Sequence, residues 1–580
     1  MPIRGKGTEK FELKKKEIDP TINSKPADLF LHLYGNWLFE FILNSTQAYL
    51  QEHPDLINPS YPITLENIKC YFGYLILLTN FKTKHDCYRD YLKKSPDLLR
   101  ALLEDNTLMP FKLPSNDSLQ KMSKSKFEYF SKVLDLGQNR KTPKLDKNGE
   151  NIVKSNGEIC EVYDLAHKFG YCENQINKIS QTYKTPKNMV VSLDETLRVS
   201  YSSWDQLRTF MPGKNPKYGQ KSFCLVDEDY YNFSSWSVLP SQFSYWGKGT
   251  DNMLKFIMPN HFYNRGLMIV ADNYFMTLEL AHFLAAYHTS ILVTMRLNRI
   301  KKALSDEQYQ NFTKVPKKKE EFKRKTEILS HEFQVSYPDK FNRETTSTYT
   351  EELVFYSDKS SAKSPVVFLC TDPGFVNPKG NKSEQLNDTR KPDYSKVYDK
   401  YMFFVDMFDK LLNTYSVIRV FKNGRWVLRF IQCKFDITLQ NSYVLFKNFV
   451  QKNPDLVDKS FTTMLRDGYL HTFFMADIAI KLISKTEVVS QNSQNSPENP
   501  SLHSQFSPFL SRKRSYDTTW SSTEPRKRKY CKMGTHDTKT GKLRVKTVCV
   551  NCQESCCSSH SVIICLNCID FSNLNLNSDD

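Results

Sequence analysis

The sequence contains no apolar run approaching the roughly 18 residues a membrane-crossing helix needs, so no membrane span is expected. Its first residues, Met1-Pro2-Ile3-Arg4-Gly5-Lys6, lack the apolar centre of a secretory leader, and an intracellular chain is expected. No Ser–His or Cys–His pairing reads as a nucleophile with its base, and no tandem repeat is found. Cysteine is scattered singly through most of the chain, which argues against a disulfide framework; seven of the 14 cysteines fall between Cys531 and Cys568, where clustering points to metal. What the chain does have is length and bulk. Its 580 residues, 39% hydrophobic with 31 Tyr and 39 Phe, suffice for a large core split over several domains. A net charge of +17 favours nucleic acid or another acidic surface as partner.

Composition shifts divide the chain. Residues 1–25 are charged and read as a disordered basic N-terminus. Over 26–136 apolar residues recur at helical spacing, as in Leu29, Phe30, Leu33, Trp37, Phe41 and again in Ile68, Tyr71, Phe72, Leu75 behind an N-cap at Thr64. Residues 137–185 form a linker with Asn148-Gly149 and Asn156-Gly157 turns, followed by a helical segment. Residues 186–300 read as α/β: strands over Met189–Leu193, Phe223–Val226, Asn232–Leu239, Leu267–Ala271 and Ile291–Thr294, with helices near Asn252–Met258 and Thr277–Tyr287. The stretch 301–395 is charge-dense, with strands at Glu351–Tyr356 and Val366–Cys370. In 396–486 one helix is expected over Val397–Leu412 and a long one over Trp426–Phe449. Residues 487–530 are a Ser/Asn/Gln/Pro-rich linker carrying the basic clusters Arg512–Arg514 and Arg526–Lys529.

Two buried strands end on acids, Leu267–Ala271 on Asp272 and Met189–Leu193 on Asp194. Ligands of α/β sheets bind at such carboxyl ends. Carboxylates gathered there suit Mg²⁺, a hard ion that takes oxygen ligands, and a third acid is available where Asp406 and Asp409 share one helical face. Two metals about 4 Å apart can activate a nucleophile and stabilise the leaving oxygen of a phosphodiester.

The set resembles the piggyBac-type DNA transposases over most of the chain. Ser192–Glu195 is similar to the family's first acidic block, Met211–Gly219 to the proline–lysine stretch after it, and Ala271–Phe275 to the second acid. Thr294–Arg299 resembles a Thr-x-Arg-x-Asn-Arg signature. Tyr398–Met402 through Asp406 and Asp409 resembles the third acid with its companion, and Arg425-Trp426 a downstream Arg-Trp pair. The resemblance implies an RNase H-like α/β catalytic core, an all-α N-terminal dimerisation and DNA-binding domain continued in 396–486, an insertion domain over 301–395 and a small zinc-binding tail. It implies a DDD-type, Mg²⁺-dependent transposase holding two ions on Asp194, Asp272 and Asp406, with Asp409 close by. Such an enzyme nicks each transposon end, closes a hairpin over a TTAA overhang, and joins the reopened ends to a TTAA target in double-stranded DNA. Arg296, Arg299, Lys214, Lys217 and Arg425 are candidate DNA contacts, and a homodimer is expected. One departure stands out: the family carries Gly-Gly before the third Val-Asp, and this chain carries Phe403-Phe404. A catalytically silent DNA-binding protein with the same fold is the alternative.

Residues 531–570 carry Cys549-x2-Cys552-x4-Cys557-x2-His560-x4-Cys565-x2-Cys568, a spacing that suits tetrahedral zinc. Six ligands exceed one site. Two Zn²⁺ in a cross-brace are expected, on Cys531, His536, Cys557 and His560, and on Cys549, Cys552, Cys565 and Cys568. Cys556 is the substitute for His536. A RING-like tail is the rival reading of this segment alone. Arg526–Lys529 reads as nuclear import, DNA contact or both, and a nuclear location is expected.

Overall fold

The computed structural model describes residues 16–80, 119–138, 140–144, 151–200, 202–203, 205–214, 217–238, 266–286, 288–301, 304–313, 325–338, 344–357, 365–376, 392–420, 425–485, 547–548 and 555–556. The chain divides into two compact units, Met1–Val488 and Val489–Asp580. The expected helix near Asn252–Met258, the Asn148-Gly149 turn, the 487–530 linker and every proposed zinc ligand (Cys531, His536, Cys549, Cys552, Cys557, His560, Cys565, Cys568) lie outside the described residues. In the second unit only β-strands Thr547–Val548 and Ser555–Cys556 are described, paired antiparallel.

The first unit begins earlier than expected. Helix α1 (Pro20–Asn23) sits inside the stretch read as disordered, and Asp19 caps it by accepting from Thr21 N at 2.8 Å. Helix α2 (Pro26–Phe30) runs through one π turn, Leu31–Gly35, into α3 (Asn36–Glu52). Thr64 caps α4 (Leu65–Asn80) as the sequence predicts, its Oγ1 accepting from Asn67 N at 3.3 Å. Helix α5 (Lys124–Val133) follows. Strands β1 (Lys141–Pro143) and β2 (Glu161–Tyr163) pair antiparallel around the Asn156-Gly157 turn, where Gly157 holds φ +83°. Helix α6 (Leu165–Tyr183) starts at Asp164, which caps His167 N at 2.9 Å.

A nine-stranded sheet comes next. Strands β3 (Val190–Val199), β5 (Tyr218–Val226) and β6 (Asn232–Ser237) form an antiparallel meander; β7 (Leu267–Ala271) and β8 (Thr289–Met295) add in parallel to β3. The order β6-β5-β3-β7-β8 fits an RNase H-like core. Short β4 (Arg208–Phe210) shares β5 with β6. Helices α7 (Leu278–Ala286) and α8 (Leu297–Ile300) flank β8, and α9 (Asp306–Thr313) follows. The segment expected to be an insertion domain then returns to the same sheet. Strands β9 (Lys325–Pro338), β10 (Glu344–Ser357) and β11 (Val366–Cys370) extend it from β8 in the order β11-β10-β9.

Helix α10 (Pro373–Val376) leads to α11 (Asp393–Met402) and α12 (Phe404–Thr414). One helix was expected here; the chain instead breaks at Phe403, whose φ −78°, ψ −3° interrupts the helical ladder. The 27-residue α13 (Trp426–Lys452) is buried nearly all round, and α14 (Lys459–Asp467) and α15 (Leu470–Ile483) close the unit. Phe435 of α13 meets the rings of Phe30, Phe39 and Phe72 at centroid distances of 5.8, 6.1 and 4.6 Å, which ties the N-terminal helices to α13.

Side chains alternate across a strand, and here the alternation separates two cores. Val191, Leu193, Ile269 and Ala271 join the larger cluster with the N-terminal helices. Val190, Met268, Val270 and Leu292 face Val405, Phe408 and Leu412 of α12. Spaced by three and four, those α12 residues put one helical stripe on the sheet.

Candidate active site

Strand register brings the first two acids together. Leu193 pairs with Ala271 in parallel, so Asp194 and Asp272 follow at the same level on neighbouring strands, whose axes lie about 4.8 Å apart. Both share parity with the residues facing α12, which carries Asp406 and Asp409. Asp272 follows the end of β7 as expected, but β3 runs on to Val199 because its second half pairs with β5, so Asp194 lies within its strand; the three acidic segments meet on one sheet face.

Each acid has its own surroundings. Asp194 accepts from Glu195 N at 2.7 Å. Burial, with a smaller push from Glu195 and Asp406, raises its pKa to about 7. Asp272 is set by its turn: Thr294 Oγ1 donates to Asp272 Oδ1 at 3.0 Å and accepts from Asn273 N at 3.0 Å. Asp406 is exposed and pairs with Lys214 Nζ at 3.5 Å. Asp409 is pushed up to about 7 by burial, and its Oδ1 is sealed from solvent without a hydrogen bond. Lys214 is drawn electrostatically to Asp406, Asp194, Asp409 and Glu195 together, so its ammonium balances the acids from a loop between β4 and β5.

The predicted DNA contacts separate by position. Lys217 is exposed on the same loop as Lys214. Arg296 is exposed, its Nε donating to Asn273 Oδ1 at 2.9 Å. Arg299 turns inward and donates to the carbonyls of Asn273 and Met276, bracing the turn after Asp272. Arg425 is anchored on Asp135 and on Lys132 O, so its guanidinium joins α13 to the helical layer. Sequence reasoning gave no role to Thr294 or to Tyr398. Tyr398 lies close enough to feel both Asp272 and Asp194, bonds with Thr294, and is pushed up to about 12 chiefly by burial. Both residues sit inside the quoted motifs, but nothing in their spacing distinguished them.

The donor set is of the type a hard divalent cation takes, carboxylates from Asp194, Asp272, Asp406 and Asp409; burial holds Asp194 and Asp409 back from ionising, and Lys214, with Arg198 beside Asp409, offsets the charge. Among the described residues no group of three or more His, Cys, Asp or Glu is arranged closely enough to hold an ion. Nor is any helix among them long and apolar enough to cross a membrane.

Residues 25–443 match the family model described as Transposase IS4. None of the curated proteins matches the chain. Among solved structures, the chain is similar to a piggyBac transposase in a cryo-EM synaptic complex with hairpin DNA. The TM-score is 0.51 at 17% identity, over 94% of this chain and 98% of that one, a likeness of fold.

Proposed function

The chain belongs to the Transposase IS4 family, and on that premise we propose that it is a piggyBac-type DNA transposase that cuts and joins phosphodiesters at TTAA sites. The observation that carries this reading is the level placement of Asp194 and Asp272 on adjacent parallel strands, on the face covered by the helix of Asp406 and Asp409. Two Mg²⁺ ions held by Asp194, Asp272 and Asp406 would supply nucleophile activation and neutralise charge at the phosphodiester. The chain's own part is placement. Thr294 and Arg299 fix the Asp272 turn, and Asp409 backs Asp406 from the same helix. Lys214 holds Asp406 and, once DNA enters, meets a phosphate; Lys217 and Arg296 add phosphate contacts that weaken with salt. In this reading the chain acts as a homodimer on double-stranded DNA in the nucleus, with two structural Zn²⁺ in the tail.

The Lys214–Asp406 pair also favours a second reading, a DNA-binding protein that keeps the fold without cutting, because the ammonium occupies the third acid. Mg²⁺-dependent nicking of supercoiled plasmid separates the two. Nicking by the native chain that falls to background in Asp272→Ala supports the transposase. Equal nicking by both removes the proposed site, and DNA binding without nicking by either leaves the silent reading.

A further inference from the structure

We propose that Phe403 is a stacking platform for an unpaired nucleotide beside the phosphodiester being processed, an inference that rests on the transposase reading above. Phe403 is 43% exposed while its neighbour Phe404 is 2% exposed. Phe404 anchors the joint between α11 and α12: its ring meets Tyr401 at 5.4 Å and Tyr230 at 6.1 Å, both near perpendicular, and Phe403 at 5.2 Å. The exposed ring therefore stands on a fixed base. Met407 N donates to Phe403 O at 2.9 Å, so Phe403 opens the first turn of α12. Asp406 is three residues on, on the same helical face, with Cβ atoms about 5–6 Å apart. Stacked bases along one strand rise about 3.4 Å each, so a phosphate held at Asp406 puts a base one or two steps away at Phe403.

The surroundings suit DNA. Phe403 lines a groove of about 380 Å³ with Lys400, Lys447 and Gln451. The groove's two acids are satisfied from within the protein: Asp229 pairs with Lys184 at 3.1 Å and Lys187 at 3.4 Å, and Glu228 accepts from Asn188 at 2.8 Å. Lys400 is exposed at the groove, its Nζ over the Tyr401 ring at 4.8 Å, and supplies charge for the strand's backbone. The part of the Phe403 ring left exposed at this joint adds nothing to the core; next to a carboxylate set for phosphodiesters it offers a π face to a base. Stacking tolerates every base, so the platform selects unpaired over paired strand rather than sequence.

Fluorescence anisotropy on the full chain tests this with two labelled duplexes, one blunt and one ending in a four-nucleotide single-stranded TTAA overhang. The native chain should bind the overhang duplex about 5- to 160-fold more tightly, the range expected for one stacked base. Phe403→Ala should erase that preference and leave blunt-duplex affinity unchanged, which also reports that the variant folds; Phe403→Trp should keep it. No preference in the native chain, or an intact preference in Phe403→Ala, overturns the proposal. If the native chain nicks plasmid through Asp272 while Phe403→Ala keeps its overhang preference, the platform fails alone. If the overhang preference depends on Phe403 while nothing is nicked, the platform stands and the cleavage reading fails.

Discussion

His471 shows how a single side chain can set the pH response of the whole fold. It is sandwiched between Tyr443, 3.8 Å away and nearly parallel, and Tyr415 at 3.7 Å. Burial, aided by Lys447, depresses its pKa from 6.5 to about 3. The folded chain therefore keeps this ring neutral where the unfolded chain protonates it. Its stabilising effect is complete above pH 6.5 and is lost as pH falls from there toward 3, by about 1.4 kcal/mol per pH unit. The buried Asp194 and Asp409, both raised to about 7, act in the opposite sense, costing stability as pH rises from about 4 to 7. The informative quantity is thus the difference between native chain and His471→Phe, which keeps an aromatic in the stack. That variant should gain on the native chain as denaturant melts are repeated from pH 7.5 down to 4.5. A constant difference over the range would mean the ring is not held neutral. The same scale explains why the site was only half legible. Asp194 and Asp272 announce themselves by ending apolar runs, whereas Thr294, Tyr398 and Arg299 act through partners that only the folded arrangement of β8, α11 and α8 brings near.

Among the elements, those with a strong period were legible and those shaped by distant partners were not. Leu267–Ala271 and Val366–Cys370 are strands at the residues their apolar runs mark. The helix expected over Val397–Leu412 breaks at Phe403, with no Gly or Pro to mark the joint. In the charge-dense 301–395 stretch the apolar run Glu351–Tyr356 marked only the second half of β10, while β9 and the first half of β10, polar along most of their length, are held as strands by pairing with each other. Helix α13 was legible as a helix, yet its polar residues only make sense against their partners. Lys434 pairs with Glu173 at 2.6 Å, and Arg198 with Asp436 at 2.5 Å, all nearly without solvent. At its start, Asp135 is fully buried between Arg425 and Lys168, the latter 2.8 Å away. Removing one member of a buried ion pair strands the other, typically at a cost of about 3–5 kcal/mol. Asp135→Ala should therefore lower the melting temperature of the first unit markedly, whereas Arg425→Ala, which leaves the Asp135–Lys168 pair intact, should do less. Equal melting of native chain and Asp135→Ala would show that this joint contributes little.

On the scale of the whole molecule, the two units are expected to owe their stability to different physics. Every buried hydrophobic residue among the described residues lies between Ala27 and Ile483, so the first unit carries a core of its own. The tail carries seven of the chain's 14 cysteines, between Cys531 and Cys568. If the proposed zinc sites form, metal would supply the tail's stability, since in small zinc modules each ion contributes about 10–16 kcal/mol. A chain ended at Val488 should accordingly melt at the temperature of the full chain's main transition and retain any Mg²⁺-dependent nicking. The two zinc ions expected of the full chain by metal analysis should disappear with the tail. Chelation of the full chain should then reproduce the truncation, leaving the main transition in place. A main transition that falls on truncation or chelation would instead make the tail part of the first unit's core. One zinc rather than two would locate the fault at the Cys531 end, where Gly534 stands in place of a second cysteine and His536 or Cys556 must complete the site.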